Sequence, residues 1–320
     1  MLKRRSLALL LLTVLALAAP LAAGASAYTT GIGDQQTEMF TDAHWKQLHT
    51  RITRYITSYD TVANRVDLLR ARAFITAATK DHQRVLVAFY HSGGRSAHHN
   101  PSGKVYKTDV QRFMRLFPQV TEYQAWNEVN RGNTRAFASP SPSQAAGYYK
   151  IIRSLCPHCA ITGLDILDQA KVGPSLRYIS QFRSALRRLH VPSPHLWGLH
   201  NYSDTNRFGS SRTRAVLRAV PGQVWLTETG GIVKFGGAFP NRKGSGDRRA
   251  AKALSYMFRL AASNRRISRL YIYQWTGSSP RARFDAGLTD RRYVPRPGYV
   301  VVCKKLHGTR CKGFRIDQRN

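Results

Sequence analysis

Short apolar runs alternate with amphipathic segments along nearly the whole chain. Residues 85–90 are a continuous apolar run, as expected of a parallel strand that is covered on both faces. Residues 65–79 place their apolar side chains on one face at helical spacing, which predicts a helix. The pattern recurs eight times and predicts strands at 28–34, 52–58, 85–90, 120–126, 160–164, 195–201, 224–228 and 270–275. The predicted helices are a short one that opens at Thr41 or Asp42, and then 65–79, 109–116, 144–155, 175–189, 212–220, 247–263 and 297–306.

Eight strand–helix units predict an α/β protein with a single TIM (β/α)8 barrel domain. The chain has 320 residues, and such a barrel needs about 250. No linker divides the chain, and no sequence repeat relates the units. An open doubly wound sheet is the structural alternative, but it would carry a glycine-rich phosphate turn after its first strand. Gly31-Ile32-Gly33 does not continue as such a turn.

Residues 1–27 have the pattern of a secretory signal peptide. Residues 3–5 are basic, residues 7–19 are apolar, and residues 25–27 are the small residues of a cleavage site. A membrane anchor is the alternative, but the apolar run is shorter than the roughly 20 residues that a membrane span requires. We therefore expect a secreted, extracellular protein whose barrel domain spans 28–320, with no membrane segment after cleavage.

The chain is strongly basic, with 50 Lys and Arg against 17 Asp and Glu and a formal net charge of +33. Such a charge attracts polyanions, including anionic cell-wall polymer, acidic glycans and nucleic acid. The basic residues are spread along the chain and form neither a tail nor a long basic run. A solvated basic surface and a specific polyanion ligand both fit this distribution. Specific nucleic-acid binding is not expected, because it would cluster Lys and Arg with aromatic residues on one face.

Four cysteines form two local pairs, Cys156 with Cys159 and Cys303 with Cys311. In an exported chain an even number of cysteines indicates disulfides, and proximity favours the two local bonds among three possible connectivities. A redox CxxC site is disfavoured, because the first pair follows a helix and precedes a strand, the reverse of the thioredoxin-like order. Zinc at the first pair and His158 lacks a clear fourth ligand. We therefore expect no metal and no other cofactor.

Polar side chains collect where the predicted strands end. These residues are Asp34, Tyr59, Asp60, Tyr90, His91, Asn127, Glu128, Asp165, His200, Asn201, Tyr202, Glu228 and Trp275. In (β/α)8 enzymes the carboxyl ends of the strands carry the active site. Glu128 ends the fourth strand and Glu228 the seventh, and these two strands face each other across a barrel. Two such carboxylates are what glycoside hydrolysis requires.

These motifs resemble the (β/α)8 glycoside hydrolases of clan A, with families 5 and 39 as the nearest patterns. The matching segments are Trp126-Asn127-Glu128 on strand four, His200-Asn201-Tyr202 on strand six, Thr227-Glu228 on strand seven, Trp275 on strand eight and the closing segment 284–299. His91 is similar to a strand-three histidine. Arg54 could be the strand-two arginine, although it lies early in its strand. The resemblance covers essentially the whole chain after the signal peptide.

The resemblance implies a retaining glycoside hydrolase that cleaves β-linked glycosides or polysaccharide by double displacement. Glu228 would be the nucleophile. Glu128 would be the acid/base, with a pKa raised by the charge of Glu228. The implied substrate-binding residues are Asn127, His91, His200, Tyr202 and Trp275. Among these, Tyr202 would orient the nucleophile, and Trp275 would stack on the sugar.

Other interpretations of these features remain open. His200 could be a buried core histidine. The aromatic residues that fit the barrel core better than the site are Trp126, Tyr90 and Tyr273. The chain could also be a non-catalytic barrel that binds anionic cell-wall polymer or glycan through its basic surface. The presence of both glutamates with their Asn and Trp supports favours an enzyme with a carbohydrate substrate, which the loops at 92–107 and 235–246 would select. We also expect the protein to be a monomer.

Overall fold

The computed structural model describes residues 28–93, 95–133, 138–308 and 311, so the predicted signal peptide lies outside it. The strands are β1 (Thr29–Gly33), β2 (Ile52–Ser58), β3 (Arg84–Tyr90), β4 (Glu122–Gln124), β5 (Ala160–Thr162), β6 (Asp165–Leu167), β7 (Leu196–His200), β8 (Gln223–Thr229), β9 (Lys234–Phe235), β10 (Ile267–Tyr273) and β11 (Phe284–Asp285). The α-helices are α1 (Ala43–Gln47), α2 (Arg65–Lys80), α3 (Gly103–Leu116), α4 (Pro142–Leu155), α5 (Gly173–Arg188), α6 (Tyr202–Asn206), α7 (Ser211–Ala219), α8 (Ser245–Ala262) and α9 (Pro297–His307).

Parallel strands form a barrel whose order around the axis follows the chain. The hydrogen-bonded order is β5-β4-β3-β2-β1-β10-β8-β7-β6. β5 and β6 are two parts of one barrel strand, because β5 pairs with β4 while β6 pairs with β7. Gly163 lies in the break between them, where an added Cβ would be 2.5 Å from Pro194. The predicted TIM (β/α)8 fold is therefore confirmed, and its fifth strand is split.

Helices begin where the sequence supplies capping residues. The side chain of Asp42 caps α1, that of Asn64 caps α2, and Ser141 opens α4 with a capping box. Helix α3 begins at Gly103, earlier than the predicted start at 109, because Ser102 caps it by accepting a hydrogen bond from a backbone N–H. Residues 103–107, the last part of the segment predicted as a loop, are therefore helical.

The interior of the barrel changes from apolar to polar along the strands. Near the strand starts, Ile52, Leu86, Trp225 and Tyr271 form a small buried cluster. Side chains alternate along a strand, so Arg54 shares the inward face of β2 with Ile52. A polar layer begins at Arg54, and the candidate site lies above this buried cluster.

A small antiparallel sheet of β9 and β11 is separate from the barrel sheet. It pairs Phe235 with Phe284, and Asp285 in β11 is held by Arg296 at 2.9 Å. Phe284 also packs against a buried cluster of Tyr202, Ile232 and Phe239. This sheet and cluster form an aromatic wall beside the carboxyl ends of the barrel strands.

Both predicted cysteine pairs lie at disulfide distance. The Cα atoms of Cys156 and Cys159 are 5.4 Å apart, and those of Cys303 and Cys311 are 5.7 Å apart. The first pair joins the end of α4 to the start of β5, and the second joins Cys303 in α9 to Cys311, beyond the end of that helix. Within the described ranges, no helix combines the length and the apolar character that crossing a membrane requires.

Candidate active site

Arg54 lies at the centre of the polar layer and is 2% exposed. Its Nε donates to Gln124 Oε1 at 2.7 Å, and its Nη1 donates to Glu228 Oε2 at 2.9 Å. Its Nη2 donates to Asn127 Oδ1 at 2.6 Å and to Asp165 Oδ2 at 2.9 Å. One rigid guanidinium therefore fixes side chains from three other strands and from the turn after β4.

Glu228 extends from β8 and is 8% exposed. Its Oε1 accepts a hydrogen bond from the Tyr202 hydroxyl at 3.1 Å, and its Oε2 accepts one from Arg54. Burial raises the pKa of Glu228, and the positive charges of His200 and Arg54 offset only part of that effect. The contact with Tyr202 is the one that the sequence led us to expect.

Glu128 follows β4 in a tight turn, with a φ of +47° in the left-handed region. This conformation costs a non-glycine residue about 1 kcal/mol, so the surrounding structure must hold it. The Asn127 N–H donates to the carbonyl of Phe89 at 2.7 Å, and the Val129 N–H donates to that of Asp165 at 3.1 Å. Bonds to strands on both sides thus fix the turn that presents Glu128.

The carboxylate of Glu128 contacts two cationic groups. Its Oε1 lies 3.2 Å from His200 Nδ1, and its Oε2 accepts a hydrogen bond from Arg131 at 3.1 Å. Burial pushes the pKa of Glu128 upward, but His200 and Arg131 outweigh it, and the pKa lies below its usual value. The structure thus lowers the pKa of Glu128, which was expected to be raised, because the contacts with His200 and Arg131 were not foreseen.

His200 is fully buried between carboxylates. Its Nε2 lies 2.9 Å from Asp165 Oδ2, and its Nδ1 contacts Glu128. Burial disfavours the charged ring, but Asp165 and Glu228 outweigh it and raise the pKa of His200 to about 10. Thr227 donates to the other oxygen of Asp165 and holds that carboxylate in place. His200 is therefore a buried cation and part of the site, not a neutral core residue.

We expect the His200 imidazole to remain protonated through neutral pH and to lose its proton only near pH 10. Nitrogen NMR of the 15N-histidine-labelled protein measures this directly, and His200→Gln identifies the signal. Asp165→Asn should lower the midpoint, because it removes the charge that most strongly favours the imidazolium. A midpoint near the ordinary value of about 6.5 would contradict the assignment.

The side chains of Glu128, His200 and Glu228 could each offer one ligand atom to a metal ion, with these atoms within 4.8 Å of one another. A metal ligand must be deprotonated, whereas His200 holds a proton at neutral pH. The guanidinium of Arg54 also contacts Glu228 and would repel a cation. The donor set therefore fits a hydrogen-bonded carboxylate pair better than a metal centre.

A cavity of about 580 Å³ opens above the two glutamates, within the range of small-ligand sites. Asn127, Glu128 and Glu228 lie on its lining. Its aromatic lining residues are Tyr90, Tyr202, Phe235, Phe239, Tyr273 and Phe284. Arg131 and Arg207 line it as well. The site thus combines paired carboxylates, flat apolar faces for a sugar ring, and two guanidinium groups.

Trp275 does not line this cavity, which corrects its prediction as a stacking residue. Its side chain is fully buried outside the site, with ring centroids 5.6 Å from Trp45 and 5.8 Å from Tyr299. Its Nε1 donates to Asp42 at 3.2 Å. Strand β10 ends at Tyr273, and the chain has left the barrel by residue 275. Tyr273, predicted in the core, occupies the cavity wall.

His91 also lies outside the cavity lining, so its prediction as a binding residue is corrected. One of its ring nitrogens is 2.7 Å from the carbonyl oxygen of Ser92, and its ring contacts that of Tyr90 with centroids 4.2 Å apart. Tyr90, the residue before it, faces the cavity instead. Strand β3 ends at Tyr90, and a shift of one residue moves a side chain to the other face.

The two predicted substrate loops contribute unequally. Segment 235–246 supplies Phe235, Ala238 and Phe239 to the cavity. From segment 92–107, no residue within the described ranges lines it. Sequence reasoning missed Arg131 and Phe284, and it left Arg54 unassigned. A basic residue three positions after a strand-end glutamate is a usable signal, because the turn that presents the glutamate brings both side chains together.

Comparison with known proteins shows a shared fold at low sequence identity. No family model and no curated protein matches the chain. A family 39 glycoside hydrolase from Bacteroides cellulosilyticus WH2 has 13% identity and a TM-score of 0.58, over 90% of this chain and 65% of its own. This chain therefore spans slightly less than two thirds of that protein.

Two further solved structures cover more of their own length. Native xylanase 10B from Thermotoga maritima has 13% identity and a TM-score of 0.63, over 89% of this chain and 96% of its own. GH5_18 from Streptomyces cattleya, in complex with GlcNAc, has 12% identity and a TM-score of 0.60, over 91% of this chain and 82% of its own. At the level of fold, the predicted resemblance to the (β/α)8 glycoside hydrolases of clan A is confirmed.

Proposed function

We propose that this chain is a retaining glycoside hydrolase that acts on β-linked glycosides or polysaccharide. The approach of Glu128 and Glu228 carries the proposal, because carboxylate oxygens of the two lie within 4.8 Å of each other. Retaining enzymes hold their two carboxyl groups about 5–5.5 Å apart, whereas inverting enzymes hold them about 6.5–9.5 Å apart to admit a water molecule.

In the first step, Glu228 attacks the anomeric carbon and the bond to the leaving oxygen breaks. Glu128 gives its proton to that oxygen, and a covalent glycosyl-enzyme forms. Arg54 and Tyr202 suit Glu228 to the nucleophile's role, because they fix one oxygen each and leave the carboxylate aimed at the cavity. Asn127, held by Arg54, is placed to contact the sugar 2-hydroxyl.

In the second step, a water molecule attacks the same carbon from the leaving-group side. Glu128 removes the proton of that water, and the bond to Glu228 breaks to regenerate its carboxylate. Two inversions at one carbon give net retention. Tyr273 and Phe284 offer apolar faces on which the ring stays positioned through both steps.

The first step requires the proton on Glu128, whereas the surrounding residues lower the pKa of Glu128 and raise that of Glu228. We infer that bound sugar reverses this order. Arg131 lowers the pKa of Glu128, and 47% of the Arg131 side chain is exposed at the cavity, so substrate can move it away. Glu228 in turn is favoured as the anion by positive charge that develops on the sugar.

We also propose that the protein acts outside the cell after removal of residues 1–27. The basic leader followed by an apolar run supports export, and the two cysteine pairs at disulfide distance fit an oxidising compartment. Amino-terminal sequencing of the exported protein tests this directly. The expected first residue is Tyr28.

Product stereochemistry tests the proposed activity. We expect at least one glycan in a panel of β-linked polysaccharides to be hydrolysed, with the β-anomer of the product detected first by proton NMR. First appearance of the α-anomer would indicate inversion and contradict the mechanism. If every glycan remained uncut while some bound, the alternative of a non-catalytic binding barrel would replace the enzyme.

A further inference from the structure

We propose that the substrate is an acidic glycan, and that Arg207 contacts an anionic group on the sugar chain in the cavity. This inference rests on the proposed glycosidase function and specifies its substrate class. Arg207 follows α6 and lines the cavity that holds Glu128 and Glu228. Within the part of the chain that the structure describes, no carboxylate forms an ion pair with Arg207.

Arg207 is exposed, and its guanidinium contacts an aromatic ring instead of a carboxylate. Its guanidinium lies over the Phe239 ring, 5.2 Å from the centroid, and that of Arg249 lies 5.3 Å from the same centroid. Arg249 is in turn anchored by hydrogen bonds to backbone carbonyls, including that of Val233 at 2.9 Å. A guanidinium that stacks on an aromatic ring keeps its N–H donors free for a planar anion such as a carboxylate.

The acidic groups of the lining are already engaged by protein donors. Asp168 accepts hydrogen bonds from the backbone N–H groups of Ser203 and Asp204, both at 3.0 Å. Glu128 and Glu228 contact His200 or Arg54 deep in the site. An incoming sugar therefore meets exposed guanidinium groups at Arg207 and at the exposed part of Arg131, which also pairs with Glu128.

Two further grooves beyond the main cavity contain basic residues, together with Asp34, Asp285 and Asp290. Tyr273 is shared between the main cavity and a groove of about 480 Å³ that also includes Arg291. Arg291 is shared in turn with a groove of about 690 Å³ that includes Lys234 and Arg292. Lys234, Arg291 and Arg292 offer contacts to acidic groups of a glycan chain that extends beyond the main cavity.

Binding to a glycan array tests the inference without requiring turnover. The array pairs neutral β-linked oligosaccharides with carboxylated, sulfated and phosphorylated counterparts of the same backbone. We expect the intact protein to bind acidic members more tightly than their neutral counterparts. Comparison of the carboxylated, sulfated and phosphorylated members then identifies the anion. Retention of neutral members alone, or of none, would overturn the proposal.

Matched arginine variants separate specific recognition from the general basic charge of the chain. Arg207→Gln should weaken binding of the preferred acidic glycan by about tenfold or more, because a charge-assisted hydrogen bond is lost. Arg188→Gln removes the same charge from an exposed position on α5 and should change binding less than about twofold. Equal losses in both variants would reduce the effect to non-specific attraction and overturn the proposal.

Hydrolysis distinguishes this inference from the function on which it rests. On a cleaved acidic glycan, Arg207→Gln should raise KM by a larger factor than on a cleaved neutral counterpart of the same backbone. Hydrolysis of neutral chains without any acidic preference would overturn the acidic-glycan proposal alone. Arg207-dependent binding without hydrolysis of any glycan would overturn the glycosidase proposal alone.

Discussion

Replacement of Glu228 by Ala is expected to abolish turnover, with a loss of about 10⁴-fold or more. Among the described residues no other carboxylate is placed to attack: Asp165 is bound by Arg54, His200 and Thr227 beneath the cavity, and Asp168 accepts hydrogen bonds from two backbone N–H groups. Azide should restore turnover of an activated aryl glycoside, since a small anion can enter the space of the missing carboxylate. The glycosyl azide should have inverted configuration, because only one displacement takes place.

Replacement of Glu128 by Ala should give a different pattern and serves as the comparison. A substrate with a good leaving group needs little protonation, so the first step survives and the covalent intermediate accumulates. Azide should then react with that intermediate and yield a product of retained configuration. Opposite stereochemistry in the two variants would exchange the roles of the glutamates. Wild-type turnover in both variants would end the assignment.

Replacement of Arg54 by Met is expected to lower the free energy of unfolding by about 3–5 kcal/mol. Asp165 and Glu228 would remain buried without the cation that holds them. Chemical denaturation measures the change, and Arg188→Met, at an exposed position on α5, should alter stability by less than about 0.5 kcal/mol. The double variant with Asp165→Asn should recover part of the loss, because the two residues are coupled.

The stability deficit of Arg54→Met should shrink as the pH falls. In the native protein the pKa of Asp165 is lowered: burial alone would raise it, but the charges of His200 and Arg54 outweigh burial. The resulting stabilisation is present above the unfolded pKa of about 3.9 and is lost as the pH falls through the lower folded pKa. Replacing Arg54 removes part of this stabilisation. In strong acid Asp165 is protonated, so the stabilisation is absent from both the wild-type protein and the variant. A deficit independent of pH would point to lost packing instead of lost charge pairing.

The sequence predicted the architecture well because its strands carry strong patterns. Strand β2 was predicted with its observed bounds, and the ends of β3 and β7 differ by no more than one residue from the predicted strands. Apolar runs covered on both faces are distinctive, and helix caps such as Asn64 are local. The split of the fifth strand was not predictable, because it depends on contact between Gly163 and Pro194.

The candidate site was predicted only where chemistry coincides with a strand end. Glu128 and Glu228 met this condition and are brought together by the barrel. Arg54 did not lie at a strand end. A charged residue early in a strand cannot be distinguished from a solvent-facing one until the barrel closes around it. Trp275 was misplaced because β10 ends at Tyr273, and side-chain direction beyond a strand end depends on packing with α1 and α9.

The aromatic wall of β9 and β11 has a consequence for how such a protein can change over time. Its paired Phe235 and Phe284 belong to a sheet separate from the barrel, while Arg54 and its partners belong to the barrel and the turn that follows β4. Under the proposed function, substitutions in β9 and β11, away from Tyr202, would alter which glycan is accepted and leave Arg54 and its partners in place. For engineering, the same division makes the segments around β9 and β11 the natural place to graft new specificity.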